Sequence, residues 1–295
     1  MKRVHSLIAR KYFFSKTISS AVHLITGISV TGIAFGTMAL IVVLSVFNGF
    51  QTLIQNLFQS FDPDLKIIAT TKYIPLQNSW ISHIQKLPEV KAVLPVLEGR
   101  AMLKYYDKQA VIQLKGVLPD FSKVSTVEST ILQGSFRLQN SQKEPMVTMG
   151  AGVAYQTNAN LLDEMQPMQL YTISEKADIL TNPEESIRQI NVFPAAIFSI
   201  QKEYDDQMVI TNWETTEFLF ETKEKASAFE IRLQEDADLL TVQQKIKALL
   251  PNGIQVRSRY EQHQTMYQVM KNEKRVAFGV MALMILLTAG NIIGC

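Results

Sequence analysis

Ser29-Val-Thr-Gly-Ile-Ala-Phe-Gly-Thr-Met-Ala-Leu-Ile-Val-Val-Leu-Ser-Val-Phe-Asn-Gly-Phe-Gln51 is the centre of a run with no Asp, Glu, Lys or Arg between Lys16 and Asp62. A bilayer core about 30 Å thick takes about 20 apolar residues in a helix, so the run is long enough to span. A second uncharged run goes from Val276 to Cys295 and reads as another span. Between them the polar and apolar residues mix as in a folded domain. The order is therefore membrane, large outer domain, membrane, even though the 47% hydrophobic content of the 295 residues is ordinary.

The first span is rich in small residues. Gly32 and Gly36 make a G-x-x-x-G step, and Gly290 and Gly294 repeat it in the second span, which lets helices approach closely. After Phe47 the helical period continues through Phe50, Leu53, Ile54, Leu57, Phe58 and Phe61 with glutamines and Asn56 between them, until Asp62-Pro63 stops it. A helix over Ser20 to Ser60 would be roughly 60 Å long, of which the bilayer takes about half. The remainder is expected to stand outside as a stalk, with Ser258 to Arg275 as its partner.

Lys2, Arg3, Arg10, Lys11 and Lys16 precede the first span without any acidic neighbour, which keeps the N-terminus cytoplasmic and puts the large domain outside. Lys271, Lys274 and Arg275 oppose this only weakly, because long domains cross largely regardless of charge. A cleaved secretory leader is the alternative, with Ala34-Phe35-Gly36 as its small-residue site. The most apolar part, Met38 to Phe47, lies after that site, so a retained anchor is expected.

The outer domain reads as strand Asp64 to Thr71, helix Ile74 to Leu87 and strand Val90 to Leu97, and again as strand Ala228 to Leu233, helix Leu240 to Leu250 and strand Ile254 to Arg259. Both β-α-β units place Leu-Pro between helix and second strand, a weak internal repeat. The stretch from Gly116 to Thr222 is richer in strands and turns and reads as an inserted β-rich subdomain. Within it, polar residues 176–189 lie between apolar strands Met168 to Ile173 and Ile190 to Ile200, the form of a projecting hairpin or a plain loop.

The divisions expected are a cytoplasmic segment 1–17, a transmembrane helix 18–48, a stalk helix 49–61, an outer domain 62–270 and a second, truncated transmembrane helix 271–295. The outer domain is itself divided into a porter-like part (62–115 and 223–259), the insertion (116–222) and a stalk (260–270). The fold class is thus an α+β membrane protein.

Catalytic chemistry is missing. A Walker A loop needs Gly followed by Lys to hold phosphates, and no Gly-Lys pair occurs. His5, His23, His83 and His263 are scattered, Cys295 is the only cysteine, and no spacing offers a metal site. Carboxylate pairs such as Glu184-Glu185 and Asp205-Asp206 sit in polar stretches and read as solvated faces. No catalytic residue, metal or cofactor is assigned to the chain, and any energy for transport must come from another protein.

The Ser29 to Gln51 segment, with Ser45-Val-Phe-Asn-Gly-Phe50 as its most specific part, and Phe61-Asp-Pro-Asp-Leu-Lys-Ile67 after it resemble the first span and stalk of the lipoprotein-releasing permeases of the LolC and LolE type. Arg10-Lys-Tyr-Phe-Phe14, Gly150-Ala-Gly-Val-Ala-Tyr155 and Phe218-Leu-Phe220 extend the likeness along the chain. The resemblance places the chain in a superfamily with the macrolide-efflux and cell-division permeases. It implies an inner-membrane permease paired with a second permease subunit, identical or not, and bound to an ABC ATPase that carries ATP and Mg. It implies no nucleic acid among the partners. Such a complex extracts lipoproteins from membrane lipid for a periplasmic carrier. The family's acyl-chain cavity carries over to Leu40, Val43, Leu44, Phe47 and Phe50, and a chaperone-docking loop to Asn182, Pro183 and Arg188. Family members have four spans and a cytoplasmic coupling segment, so a chain that stops in the second is expected to be truncated and, as given, uncoupled from ATP hydrolysis. The rival readings are an efflux or envelope-regulating permease of the same superfamily, and a two-span sensor whose outer domain binds a ligand.

Overall fold

The computed structural model describes residues 20–161, 166–173, 187–262 and 264–293, and the side chains of 20–26, 29, 51–61, 265–267, 270 and 288–293 are outside that description. The expected cytoplasmic segment 1–17, Asn182, Pro183 and Gly294 lie outside the described residues, as do the side chains of the expected amphipathic stalk. Two compact units divide the chain. One contains helix α1 (Ser20–Phe61) up to Ile54 and helix α6 (Gln264–Ile293) from Thr265; the other is residues 55–264.

In the first unit the stretch Val30–Phe50 has a mean hydropathy of 2.3 and is not buried by protein. It is the one helical stretch among the described residues that is long and apolar enough to cross a membrane. The uncharged residues from Val276 onward continue as helix to Ile293. Apolar side chains bare on two helices have no stable partner in water, and lipid or another apolar helix supplies one.

The second unit begins with two interlocked β-α-β units. Strand β1 (Leu65–Ala69), the short strand β2 (Ile74–Pro75), helix α2 (Ser79–Gln85) and the first half of strand β3 (Val90–Tyr105) form one. Strand β11 (Ala228–Leu233), helix α5 (Leu239–Leu249) and strand β12 (Ile254–Ser258) form the other. Their strands alternate in the order β12-β1-β11-β3, each antiparallel to its neighbour. Period-two alternation sends Leu65, Ile67, Val93, Phe229 and Ile231 to one face. There Trp80, Ile81 and Ile84 of α2 and Val242 and Ile246 of α5 cover them. Asp238 caps α5 by accepting from the backbone N–H of Thr241 at 3.0 Å.

Two element expectations are corrected. The helix expected over Ile74 to Leu87 starts only at Ser79, because Ile74 and Pro75 pair with Lys225 and Ala226 of strand β10 (Lys225–Ala226). Asn78 closes the intervening turn by donating to the Pro75 carbonyl at 2.5 Å. The strand expected to end at Leu97 continues to Tyr105, since its second half finds new partners.

Those partners build the insertion. Strands β4 (Lys108–Val117), β5 (Ile131–Gly134), β6 (Met146–Gly150), β7 (Met168–Ile173), β8 (Ile187–Phe198) and β9 (Met208–Asn212) follow. Pairing runs β3-β4-β9-β6-β8-β7 and returns from β7 to β3, so the ladder closes into a ring with β5 added beside β8. The inward residues Leu103, Ile112, Leu114, Met149, Leu170, Val192 and Val209 fill it. Helix α3 (Ala151–Thr157) contributes Val153 and Ala154, and helix α4 (Trp213–Phe220) contributes Leu219. Neither helix was expected in a stretch read as strands and turns. β7 and β8 pair as a hairpin from Met168↔Val192 to Ile173↔Ile187, which agrees with the flanking strands read from the sequence.

Candidate functional site

Along α1 the side chains divide by helical spacing. Phe35, Met38, Ile41, Val42, Val46 and Phe50 are exposed. Gly32, Gly36, Leu40, Val43, Leu44 and Phe47, three or four residues apart, are half-covered. On α6 a matching half-covered stripe runs through Lys274, Ala277, Met281 and Ile285. A methyl group added at Gly36 would sit 3.4 Å from Ile285 Cγ1, and Lys274 Nζ donates to Asn48 Oδ1 at 2.6 Å. These two contacts place α6 antiparallel to α1. Of the five residues expected to line an acyl-chain cavity, Leu40, Val43, Leu44 and Phe47 thus share the stripe that turns toward α6, while Phe50 is exposed. Gly290 lies in the last turns of α6.

Arg188, expected in a docking loop, lies on β8 opposite Thr172, one pair before the last described pair of the β7–β8 hairpin. Its guanidinium is 2.7 Å from Glu221 Oε1 and lies over the Phe218 ring, 5.5 Å from the centroid. Ile173 and Ile187, the last paired residues before the tip, are both exposed.

The second unit holds a charged cluster that sequence reasoning missed. On the face of the sheet opposite α2 and α5, Lys66 of β1, Glu98 of β3, Lys115 of β4 and Glu230 of β11 alternate in sign. Lys115 Nζ is 2.6 Å from Glu230 Oε1 and 3.5 Å from Glu98 Oε1; Lys66 Nζ is 2.8 Å from Glu98 Oε2. Segment 119–138 covers this face with Phe121, Val124 and Val127, so Glu230 and Lys115 are buried. Burial alone would lower the Lys66 ammonium's pKa, but Glu98 and Glu230 outweigh it and hold the group above the ordinary lysine range. Burial would likewise raise Glu98, yet Lys66 and Lys115 bring its carboxyl down to about 2. Beside the cluster is a cavity of about 320 Å³ whose lining includes Asp62, Lys66, Glu98, Tyr204 and Gln262. The visible clue was only the alternation of Lys66, Glu230 and Arg232 with apolar neighbours, which reads equally as a solvated sheet face.

The same region holds the two places where the unit connects to the long helices. Asp62 accepts from the Tyr204 hydroxyl at 2.8 Å, and burial together with Asp62 pushes that phenol well above its usual range. Asp64 Oδ1 accepts from Arg259 at 2.6 Å. Among the described residues, no group of three or more His, Cys, Asp or Glu side chains could hold a metal ion. The arrangement is that of an ionic brace across the sheet.

Residues 26–249 match the MacB-like periplasmic core domain. The chain is 24% identical to the lipoprotein-releasing system transmembrane protein LolC of Neisseria meningitidis serogroup B, in an alignment covering 99% of this chain and 70% of that protein. It is 27% identical to the lipoprotein-releasing system transmembrane protein LolE of Haemophilus influenzae over 53% of this chain and 38% of that protein. Among solved structures, the periplasmic region of MacB from Actinobacillus actinomycetemcomitans gives a TM-score of 0.46 at 14% identity, covering 72% of this chain and 95% of that one. The extracellular domain of the noncanonical ABC-type transporter YknZ from Gram-positive bacteria gives 0.46 at 9% identity, covering 66% and 99%.

Proposed function

The chain belongs to the MacB-like periplasmic core domain family, as an ABC-transporter permease of the LolC and LolE type, and from that premise we propose that its transporter releases lipoproteins from the membrane. The observation that carries this reading is the bare apolar helix of α1 joined in one chain to the family's outer domain, within a likeness to LolC that covers 99% of the chain. A lipid-modified protein presents acyl chains within the membrane and a polar body outside it. A subunit that handles both needs an apolar face in the bilayer and a folded unit beyond it.

In this proposal Leu40, Val43, Leu44, Phe47 and Phe50 receive the acyl chains. Leu40, Val43, Leu44 and Phe47 are half-covered and Phe50 is exposed in the single chain, so enclosing a lipid requires the helices to rearrange or a second permease subunit to complete the cavity. The work comes from ATP and Mg on a partner ATPase, passed through the helices to the outer domain. The domain is taken to be periplasmic and the N-terminus cytoplasmic. The β7–β8 hairpin, braced by Arg188 on Glu221, is the proposed contact for a periplasmic carrier.

A photocrosslinking residue at Val43 or Phe47 in the full-length protein tests the reading. Capture of lipidated proteins, lost when the partner ATPase hydrolyses ATP, is the expected result. Labelling of small drugs or unlipidated peptides alone would replace it with efflux.

A further inference from the structure

α1 ends at Phe61 and β1 starts at Leu65; β12 ends at Ser258 and α6 starts at Gln264 after the single turn Arg259–Gln262. β1 and β12 are neighbours, and Leu65 pairs with Ser258. The two connections to the long helices therefore lie side by side at one end of the sheet. Regular backbone hydrogen bonding is interrupted here, between Phe61 and Leu65. Pro63 lacks an N–H and breaks the helix, so the backbone ladder cannot carry a force across residues 62–64.

Side chains bridge the break. Asp64 Oδ1 accepts from Arg259 at 2.6 Å and lies 3.6 Å from Arg232, while Asp64 Oδ2 accepts from the Leu233 N–H at 2.8 Å. The Arg259 N–H donates to the Asp64 carbonyl at 3.3 Å. Arg232 spans the gap behind them, donating through Nε to the Val124 carbonyl at 2.9 Å and through a second nitrogen to the Asp62 carbonyl at 3.4 Å. The side chains of Asp64, Arg232 and Arg259 are 18%, 17% and 12% exposed, so water screens these contacts far less than it would at the surface. An apolar contact could slide. A carboxylate held by directed, charge-assisted hydrogen bonds from a neighbouring strand and a turn fixes position and direction together.

We propose that Asp64 and Arg259 are positioning residues of the transport cycle, a yoke that locks the two helix connections to each other and to β11, so that a displacement of either helix moves the sheet instead of bending the joint. This rests on the transport reading above, since it gives the helices a displacement to transmit.

The test uses the full-length protein with its partner ATPase in lipid nanodiscs, with Arg259→Gln, Asp64→Asn and Arg259→Lys, and with the core substitution Val93→Ala as a control for lost stability. Three quantities are read: ATP hydrolysis, lipoprotein released per ATP, and amide hydrogen exchange. For Arg259→Gln and Asp64→Asn, release per ATP should fall by about tenfold, the worth of one charge-assisted hydrogen bond, while hydrolysis continues. Exchange should quicken at Leu233 and Arg259 and stay unchanged in β4. Arg259→Lys should recover much of the release. Unchanged release per ATP in Arg259→Gln, or an equal loss in Val93→Ala, would overturn the yoke. If the unaltered protein releases no lipoprotein, the transport reading fails. The exchange pattern then still decides whether the joint is locked: local quickening retains the tie, and no change or a global one removes it.

Discussion

Lys115 Nζ lies 2.6 Å from Glu230 Oε1 with both residues buried, although their strands β4 and β11 are separated by β3. The pair reaches across an intervening strand because small or apolar residues of β3, such as Val96, lie between them on the same face. Removing one partner leaves a buried charge with only weaker compensation, from Lys66 at 3.8 Å or Glu98 at 3.5 Å. Lys115→Met alone and Glu230→Leu alone are therefore expected to cost about 3–5 kcal/mol each, and the double substitution far less than their sum. Urea unfolding of the four proteins closes the cycle; single losses that simply add in the double variant would show that the pair is not coupled.

Acid should find the same cluster through Glu98. Its carboxyl is brought down from 4.5 to about 2 in the folded chain, chiefly by Lys66 and Lys115 overcoming burial. A depressed carboxylate contributes stability that is present above its unfolded pKa and lost as pH falls through the folded one. The window is thus pH 4.5 down to about 2, and the contribution at neutral pH is at most about 3 kcal/mol. Glu98→Gln should be less stable than the parent at pH 7 and flatter across that window. Parallel stability curves for the two proteins between pH 5 and pH 2 would remove Glu98 from the account.

What the sequence revealed and what it concealed follow one physical line. Local period and punctuation were enough for β7, β11, α5 and β12, each set by its own alternation or helical spacing and ended by turn residues. Non-local pairing was not legible. Nothing near Leu97 announces that β3 continues to meet β4 and β7, and the helix over Ala151–Thr157 is short and packs against a ring that exists only once distant strands close it. The candidate stripe Leu40, Val43, Leu44 and Phe47 was legible as helical spacing, but its orientation toward α6 needed Gly36 and Ile285 together. Lys66, Glu230 and Asp64 were hidden because a polar residue alternating with apolar ones predicts water on that side, whereas segment 119–138 covers it.

Packing between β3 and α4 makes a sharper demand at one glycine. A methyl group at Gly99 would lie 2.7 Å from Phe220 Cζ and 3.0 Å from the two adjoining ring carbons. Gly99→Ala should therefore destabilise by about 1–3 kcal/mol through overpacking. Phe220→Leu vacates the end of the ring, so the double variant should recover at least about 1 kcal/mol relative to additivity. Thermal melts of the parent, both single variants and the double measure this directly, and strict additivity would mean that Phe220 is not what Gly99 makes room for.

At Gly36 the space is smaller than a large side chain and just large enough for a methyl group, since an added Cβ would stand 3.4 Å from Ile285 Cγ1. Close approach of two apolar helices depends on such small residues, and with lipid on their outer faces the helices gain nothing from water exclusion. Gly36→Ala should leave the α1–α6 contact near its parent spacing, whereas Gly36→Leu should push α6 away and weaken the Lys274–Asn48 hydrogen bond. Cysteines at positions 48 and 274, joined by a short bifunctional reagent in a Cys295→Ser background, report that spacing. The expected result is a severalfold slower cross-link in Gly36→Leu and little change in Gly36→Ala. Equal rates in all three proteins would mean that Gly36 does not set the distance between the helices, and the stripe from Leu40 to Phe47 would then have to be assigned to contact with lipid or with a second subunit.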